Sequence, residues 1–230
     1  MSFLSVCIPT YEMKDNGCLF LEHSLKILTL QSFKDFEVII SDHSSNDYIK
    51  NLCEKYKSVL NINYLKNIKN VGSSSANINN CIANSNGKLI KILFQDDFLY
   101  NEDSLEITVD NFDLNKDKWL VSRSEHSNDG FTFYRDFKPH YNENIHLGIN
   151  TISSPSVLTI LNQNPFYFDE NLICLMDCDY YKRCFGAFGE PKILDVITVV
   201  NRTGNHQVSN TIVNSALINK ELEYVKNKFK

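Results

Sequence analysis

Two adjacent carboxylates, Asp96 and Asp97, follow the apolar run 89–94 and Gln95. Their mutual repulsion is costly unless water or a cation relieves it. Mg2+ or Mn2+ takes one or two carboxylates together with phosphate oxygens, so on a phosphate-binding fold this pair would neutralise a diphosphate; a solvated turn is the plain alternative. Asp42, at the end of another apolar run, can accept hydrogen bonds from a base or ribose, or cap the helix that follows it. Asp177 and Asp179 stand at the start of a helix-like segment. There they can simply complement the helix dipole, or one of them, held near a metal-diphosphate site, can remove the proton of a hydroxyl group as a general base. His206, in the polar stretch Asn205-His206-Gln207-Val208-Ser209, can offer a ring nitrogen to phosphate or metal, or merely face solvent. Cys174, Cys178 and Cys184 lack the repeated short spacing of a zinc knuckle.

The elements that must position these groups alternate. Strand-like runs at 4–8, 36–40 and 62–65 enclose helix-length segments at 20–31 and 47–59, and a further strand is expected at 89–94. That order predicts βαβ units and an α/β fold with a mainly parallel, right-handed doubly wound sheet, with ligands beyond the carboxyl ends of its strands. The clusters Pro9-Thr10-Tyr11, Ser41-Asp42-His43-Ser44-Ser45 and Gln95-Asp96-Asp97 should then converge on one edge. Asn70-Val71-Gly72 reads as a turn opening a helix that runs to about Ser85 and ends at Asn86-Gly87 with a C-terminal glycine. Residues 122–151 are polar and aromatic without periodicity, which suggests a hairpin or mobile segment serving as a lid or wall over the site. Strand-like runs return at 156–161 and 193–200, with helices expected at 174–185 and 215–230. In the last of these, Leu217, Ile218, Leu222, Val225 and Phe229 alternate with lysines. Such a helix can touch a membrane surface or a partner, but packing on the domain is the simpler expectation.

Composition narrows the function classes. The 230 residues are 43% hydrophobic with a formal net charge of −5, which speaks against nucleic-acid binding through clustered Lys and Arg. Seven scattered cysteines read as reduced thiols rather than a disulfide framework. The start of the chain has no secretory pattern, so a cytoplasmic protein is expected. No apolar run reaches the length of about 18 residues needed to span a bilayer. The sequence contains no Walker-type phosphate loop, no G-x-G-x-x-G, no H-E-x-x-H and no G-x-S-x-G.

Taken in order, the clusters resemble the family 2 glycosyltransferases of the GT-A fold. Ser5-Val6-Cys7-Ile8-Pro9-Thr10-Tyr11 is similar to that family's S-V-I-I-P-T-Y start, and the stretch from Leu30 to Asp42 to its Q-T-x-x-x-x-E-I-I-V-x-D segment. Asn70-Val71-Gly72, Asn79 and Gly87-Lys88-Leu89-Ile90 match further landmarks, and Gln95-Asp96-Asp97 occupies the D-x-D position. Phe168-Asp169-Glu170-Asn171-Leu172 with Asp177-Cys178-Asp179 resembles F-D-E-x-L and E-D-x-D-L, and Arg202 with His206-Gln207-Val208-Ser209 resembles R-x-x-x-H-x-x-S. The resemblance covers nearly the whole chain. It departs from the family at His43 and Ser44 (usually Asp and Gly), Ile78 (often Arg), Gln95 and Met176 (usually Glu).

The resemblance implies a Rossmann-like GT-A fold with a mixed, mainly parallel sheet flanked by helices. It implies one domain over 1–230, with a nucleotide-sugar and metal half at 1–120 and an acceptor half at 121–230. It further implies that Pro9, Thr10, Tyr11, Asp42, Asn70, Gly72 and Asp96 bind the donor nucleotide, that Asp97 and His206 hold Mn2+ or Mg2+, and that Asp177 is the catalytic base. Asp179, Ser154 and Ser156 become acceptor contacts. The implied reaction is an inverting transfer from a nucleotide-diphosphate sugar, a UDP-sugar in the first instance, to a hydroxyl of a glycan or lipid-linked acceptor, with peripheral attachment to the cytoplasmic membrane face as an option. A sugar-phosphate nucleotidyltransferase would use a similar sheet and carboxylate pair but wants a Gly-rich basic loop, for which 10–17 supplies only Lys14. A non-catalytic nucleotide- or sugar-binding scaffold module is the alternative from outside the enzymes.

Overall fold

Unbroken apolar runs rich in Val and Ile suit strands covered on both faces, and Leu4–Thr10 (β1) and Phe36–Asp42 (β2) are buried throughout. The computed structural model describes residues 2–207, 210 and 213–230. Val208 and Ser209 of the late histidine motif therefore lie outside the described residues.

Helix Gly17–Leu30 (α1) connects β1 to β2, helix Tyr48–Tyr56 (α2) leads to Ile62–Lys66 (β3), and Ser74–Ala83 (α3) leads to Leu89–Ile92 (β4). The strand Phe98–Leu99 (β5) and helix Ser104–Asp110 (α4) follow, then Trp119–Ser127 (β6), Leu158–Leu161 (β7), helix Met176–Phe188 (α5), Lys192–Arg202 (β8) and helix Ser215–Lys228 (α6). Among the described residues one sheet runs β3-β2-β1-β4-β7-β6-β8-β5. Pairings within β3-β2-β1-β4 are parallel, as is β6 with β8, whereas β4-β7, β6-β7 and β5-β8 are antiparallel.

This is the mixed α/β sheet the sequence leads one to expect, and its order reverses between β1 and β4. The chain works outward through β2 and β3 and then returns, so a crevice opens beyond the carboxyl ends of β1 and β4. The register shows how a proline fits a central strand. The β1-β4 ladder ends at Cys7↔Ile92, while β1-β2 continues to Thr10↔Asp42. Cys7 faces β4, accepting from Leu93 N–H at 2.9 Å. Pro9 has the same parity, so its missing N–H points where β4 has already ended.

Two expectations need correction. Gly87 is not a helix-ending glycine: α3 stops at Ala83 with Asn84 as its C-cap, and Gly87 is absent from the positive-φ positions. It is required by close approach. A Cβ there would lie 2.6 Å from Ser5 N and 2.7 Å from the Leu4 carbonyl carbon, both backbone atoms. Gly87→Ala must therefore force the β1-β4 edge apart; we expect a loss of about 2 kcal/mol or more, read as a melting temperature roughly 4–8 °C lower. An unchanged melting temperature would show that the edge yields freely.

Second, the polar region starting at Ser122 contains most of β6. Its return is hairpin-like, Ser124 and Phe137 exchanging backbone hydrogen bonds at 3.1 and 2.7 Å. As expected, α6 docks on the body. Val225 is buried, and Leu222 and Phe229 pack against the core. Its apolar face is thereby used. Among the described residues no helix is long and apolar enough to cross a membrane.

Candidate active site

The three expected clusters converge. A cavity of about 490 Å³ is lined by Pro9 at the end of β1, Tyr11 and Glu12 just after it, His43 after β2, Val71 to Ser74 leading into α3, and Gln95, Asp96 and Asp97 after β4. Ser154 and Pro155 before β7, Ile173, Cys174, Met176 and Asp177 at the start of α5, and Asn201 on β8 complete the wall. Local chemistry fixes the near side. Gln95 accepts from Tyr11 N–H at 2.9 Å and donates to Gly17 O at 2.8 Å, tying the β1 exit to the start of α1. Gly17 permits this, since a Cβ there would collide with the Tyr11 carbonyl oxygen. Gly72, at φ +93°, makes the turn into α3, and Ser73 caps that helix by accepting from Ala76 N–H at 3.1 Å. Asn77 fastens the floor, accepting from Ser41 Oγ at 2.6 Å and donating to Thr10 O at 2.9 Å.

Asp97 is buried against the far half of the sheet. One carboxylate oxygen accepts from Arg202 N–H at 2.9 Å, and the other from Ser154 Oγ at 3.1 Å and Ser156 Oγ at 2.5 Å. Burial, and then the neighbouring Asp96, push its pKa up to about 7 against those bonds. Beneath it Lys91 is fully enclosed and donates to Ser156 O; burial brings its pKa down to about 7. Asp96 is the more accessible carboxylate. Its Oδ2 lies 3.1 Å from His206 Nε2, while the Arg202 guanidinium donates to its backbone oxygen at 3.1 Å. That guanidinium is held over Phe20 at 4.8 Å and Phe98 at 5.3 Å.

These groups fit a hard divalent cation. His206 Nε2 is enclosed 3.1 Å from Asp96 Oδ2, and the next carboxylate, Asp97, is pushed toward its neutral form by burial and by Asp96. Among the described residues no three His, Cys, Asp or Glu side chains already surround one point. This is the pattern of Mg2+ or Mn2+ sites that take one or two carboxylates and draw their other ligands from phosphate and water.

Across the cavity, Asp177 is the second residue of α5. Its oxygens accept from Asn150 Nδ2 and Cys178 N–H, both at 2.7 Å. It keeps partial access to the cavity, but surrounding protein atoms deprive it of water and push its pKa up to about 6. A carboxylate so poised is ionised at neutral pH yet basic enough to take a proton.

Other predicted site residues are supports. Thr10 is buried, donating to Ser41 O at 3.2 Å. Asp42, also fully buried, accepts from Ser44 N–H at 2.9 Å and Tyr64 OH at 2.7 Å and pairs with Lys66 at 3.6 Å, so it neither faces the cavity nor caps α2. Asn70 donates to Glu170 at 2.6 Å, and Ser156 serves Asp97. Asp179, expected as an acceptor contact, is buried between Arg183 at 2.8 Å and Lys228 at 2.6 Å and is not among the residues lining the cavity. Burial explains each of these: a strand-end polar residue pointing between layers must find protein partners. The departure at Ile78 faces the core, whereas His43 reaches the cavity, with Nε2 3.2 Å from Lys69 O. Asn77, Asn150 and Asn201 were missed as members of the site, and in an asparagine-rich chain nothing in their spacing singles them out. A separate recess of about 400 Å³ between α1 and α2 holds none of the predicted site residues.

Sheet order and switch-point crevice define an α/β protein of the GT-A type. A profile of glycosyl transferase family 2 matches residues 5–180, and the chain belongs to that family. It is 33% identical over 100 residues to the GalNAc(5)-diNAcBac-PP-undecaprenol beta-1,3-glucosyltransferase of Campylobacter jejuni, covering 43% of this chain and 31% of that protein. It is 29% identical over 190 residues to an uncharacterized glycosyltransferase of Rickettsia conorii, covering 76% of this chain and 29% of that one. The chain thus spans under a third of the length of either relative. Among solved structures, S. aureus TarS 1–349 in complex with UDP-GlcNAc matches with a TM-score of 0.68 at 19% identity, covering 99% of this chain and 72% of that one. The Pyrobaculum calidifontis mannosyltransferase PcManGT, with GDP-Man and Mn2+, gives 0.59 at 12% identity over 88% of this chain and 57% of that one. At these identities the likeness establishes the fold.

Proposed function

We propose that this chain is a metal-dependent inverting glycosyltransferase that moves a sugar from a nucleotide-diphosphate donor, a UDP-sugar in the first instance, to a hydroxyl of a glycan or lipid-linked acceptor. The carrying observation is that one cavity is lined by both the Asp96-Asp97 pair and a desolvated Asp177. Asp97, Asp96 and His206 would hold the cation, whose charge offsets that developing on the departing diphosphate. Pro9, Tyr11 and Gly72 bound the donor side, and Asp177 takes the proton of the acceptor hydroxyl as that oxygen attacks the anomeric carbon. A carboxylate base that activates the acceptor hydroxyl directly needs no covalent enzyme intermediate, which is a single displacement. In this reading residues 1–120 serve chiefly the donor, and 121–230 supply the base and the acceptor side. The UDP and UDP-GlcNAc complexes of TarS and the GDP-Man and Mn2+ complex of PcManGT support a nucleotide-sugar and a divalent ion as ligands. The undecaprenol in the name of the Campylobacter relative supports a lipid-linked acceptor.

The test is a thermal-unfolding panel of UDP, GDP, dTDP and CMP, each with and without Mn2+. A ligand at a hundred times its Kd adds about 2.7 kcal/mol, roughly 5–10 °C for a chain of this length. We expect the largest shift with UDP and Mn2+ together. A shift confined to another nucleotide would reassign the donor, and none at all would sink the reading.

A further inference from the structure

Glu221 stands out on α6 because it is a carboxylate on the buried face, 2% exposed, with Val225 one turn further on. Its oxygens accept three consecutive backbone N–H groups: Ile173 at 2.8 Å, and Cys174 and Leu175 at 2.9 Å each. These are the last residues before α5, whose N-cap, Leu175, has no side chain able to cap it. The carboxylate thus fixes, from a distant helix, the three amides that lead into α5, just ahead of those a local capping residue would serve, and a carboxylate bonded to three amides is firmly held. The same face of α6 grips the same segment twice more. Tyr224 OH donates to Asp169 at 2.9 Å, and Lys228 pairs with Asp169 and Asp179, both at 2.6 Å. Ile173 and Cys174 line the cavity, and Asp177 follows two residues after Leu175.

We infer that Glu221 is a positioning residue for the reaction: by fixing the three amides before α5 it sets where the Asp177 carboxylate stands in the cavity. The inference rests on the reading of Asp177 as the base. It gives α6 a task at the site, since the geometry of the proton acceptor depends on a helix more than forty residues away in the chain. A misplacement of a reacting group by about 1 Å can cost on the order of 10²-fold in rate.

The experiment compares Glu221→Gln, Asp177→Asn and the double variant with wild type, following release of UDP from UDP-GlcNAc and other UDP-sugars with Mn2+, alongside amide hydrogen exchange. Gln keeps the shape but aims an NH2 at an amide N–H. We expect exchange at 173–175 to accelerate roughly tenfold or more, kcat to fall about 10²-fold, and KM for the donor to stay within about threefold, since the carboxylate pair across the cavity is untouched. In the Asp177→Asn background Glu221→Gln should subtract nothing further, because it acts through that carboxylate. Accelerated exchange with an unchanged kcat would overturn the inference. So would an equal loss in both backgrounds, which marks a merely structural contact, and so would unchanged exchange. The rate of Asp177→Asn alone reports separately on the base assignment.

Discussion

Asp177→Asn is expected to lower kcat by about 10³-fold, within the 10²–10⁴ range that a positioned general base contributes, while the Kd for UDP with Mn2+ should stay close to that of wild type. The two effects separate because Asp177 sits across the cavity from the carboxylate pair. The pH profile follows from its environment. With the pKa pushed up to about 6 by burial, the wild-type kcat rises with pH through about 6 and levels off above it, and the variant's residual rate lacks this limb. Stability should hardly change. The amide loses one of the two bonds accepted from Asn150 and Cys178, but the variant no longer buries a charge, and the two effects offset. A melting temperature within about 3 °C of wild type together with the lost rate would assign the loss to chemistry. A variant that turned over normally would place the base elsewhere.

Asp97→Asn should separate stability from activity even more sharply. In the native state this carboxyl holds its proton up to about pH 7, against an ordinary value of 3.8. Folding therefore takes up a proton between these values. The group's contribution to stability is fully present below about pH 4 and is lost as pH rises through about 7. Without metal at pH 8, the wild type carries the whole penalty, and Asp97→Asn should melt higher by roughly 4–8 °C, an effect of order 2 kcal/mol. At pH 4 the two should coincide. Adding UDP and Mn2+ at pH 8 should stabilise the wild type and not the variant, and kcat/KM should fall by about 10²–10³-fold. Equal melting of the two proteins at pH 8 would show that the enclosed Lys91 already balances the charge.

What the sequence made legible follows from its physics. The half from β1 to β4 is built of continuous apolar strands joined by helices, so hydrophobic runs alone revealed its order and the edge where Tyr11, His43 and Asp96 meet. The half containing β6 was opaque because polar residues build it. Ser122 and Ser124 are buried, satisfied by Thr198 at 2.6 Å and Asn201 at 3.1 Å on β8. Hydroxyl and amide pairing replaces apolar contact there, and a search for alternating hydrophobicity passes over it. At the site, residue type and order pointed to Asp96, Asp97 and Asp177. They could not distinguish a carboxylate facing a cavity from one locked between layers, as Asp42 and Asp179 are. Glu221 did leave a signal: with Leu217 before it and Val225 after it at intervals of four, it falls on the apolar stripe of its helix, where a lone carboxylate must have partners.

The polar layer also bears on the electrical state of Asp97. Ser154 Oγ, which meets that carboxylate, also lies 2.8 Å from the Asn201 amide oxygen, and the Asn201 amide nitrogen reaches Ser124 and Ser153. Each hydroxyl is a rotor that can donate or accept without moving a heavy atom. Were Asp97 to pass from protonated to ionised to cation-bound, as the proposed reaction requires, the hydroxyls beside it could swing their hydrogens to suit each state while the strands keep their places. A wall of leucines would offer no such accommodation, and a fixed array of amides could suit only one of the three states. The serines behind the site thus act as a small internal solvent with low reorganisation cost, available at each turnover as charge arrives and leaves.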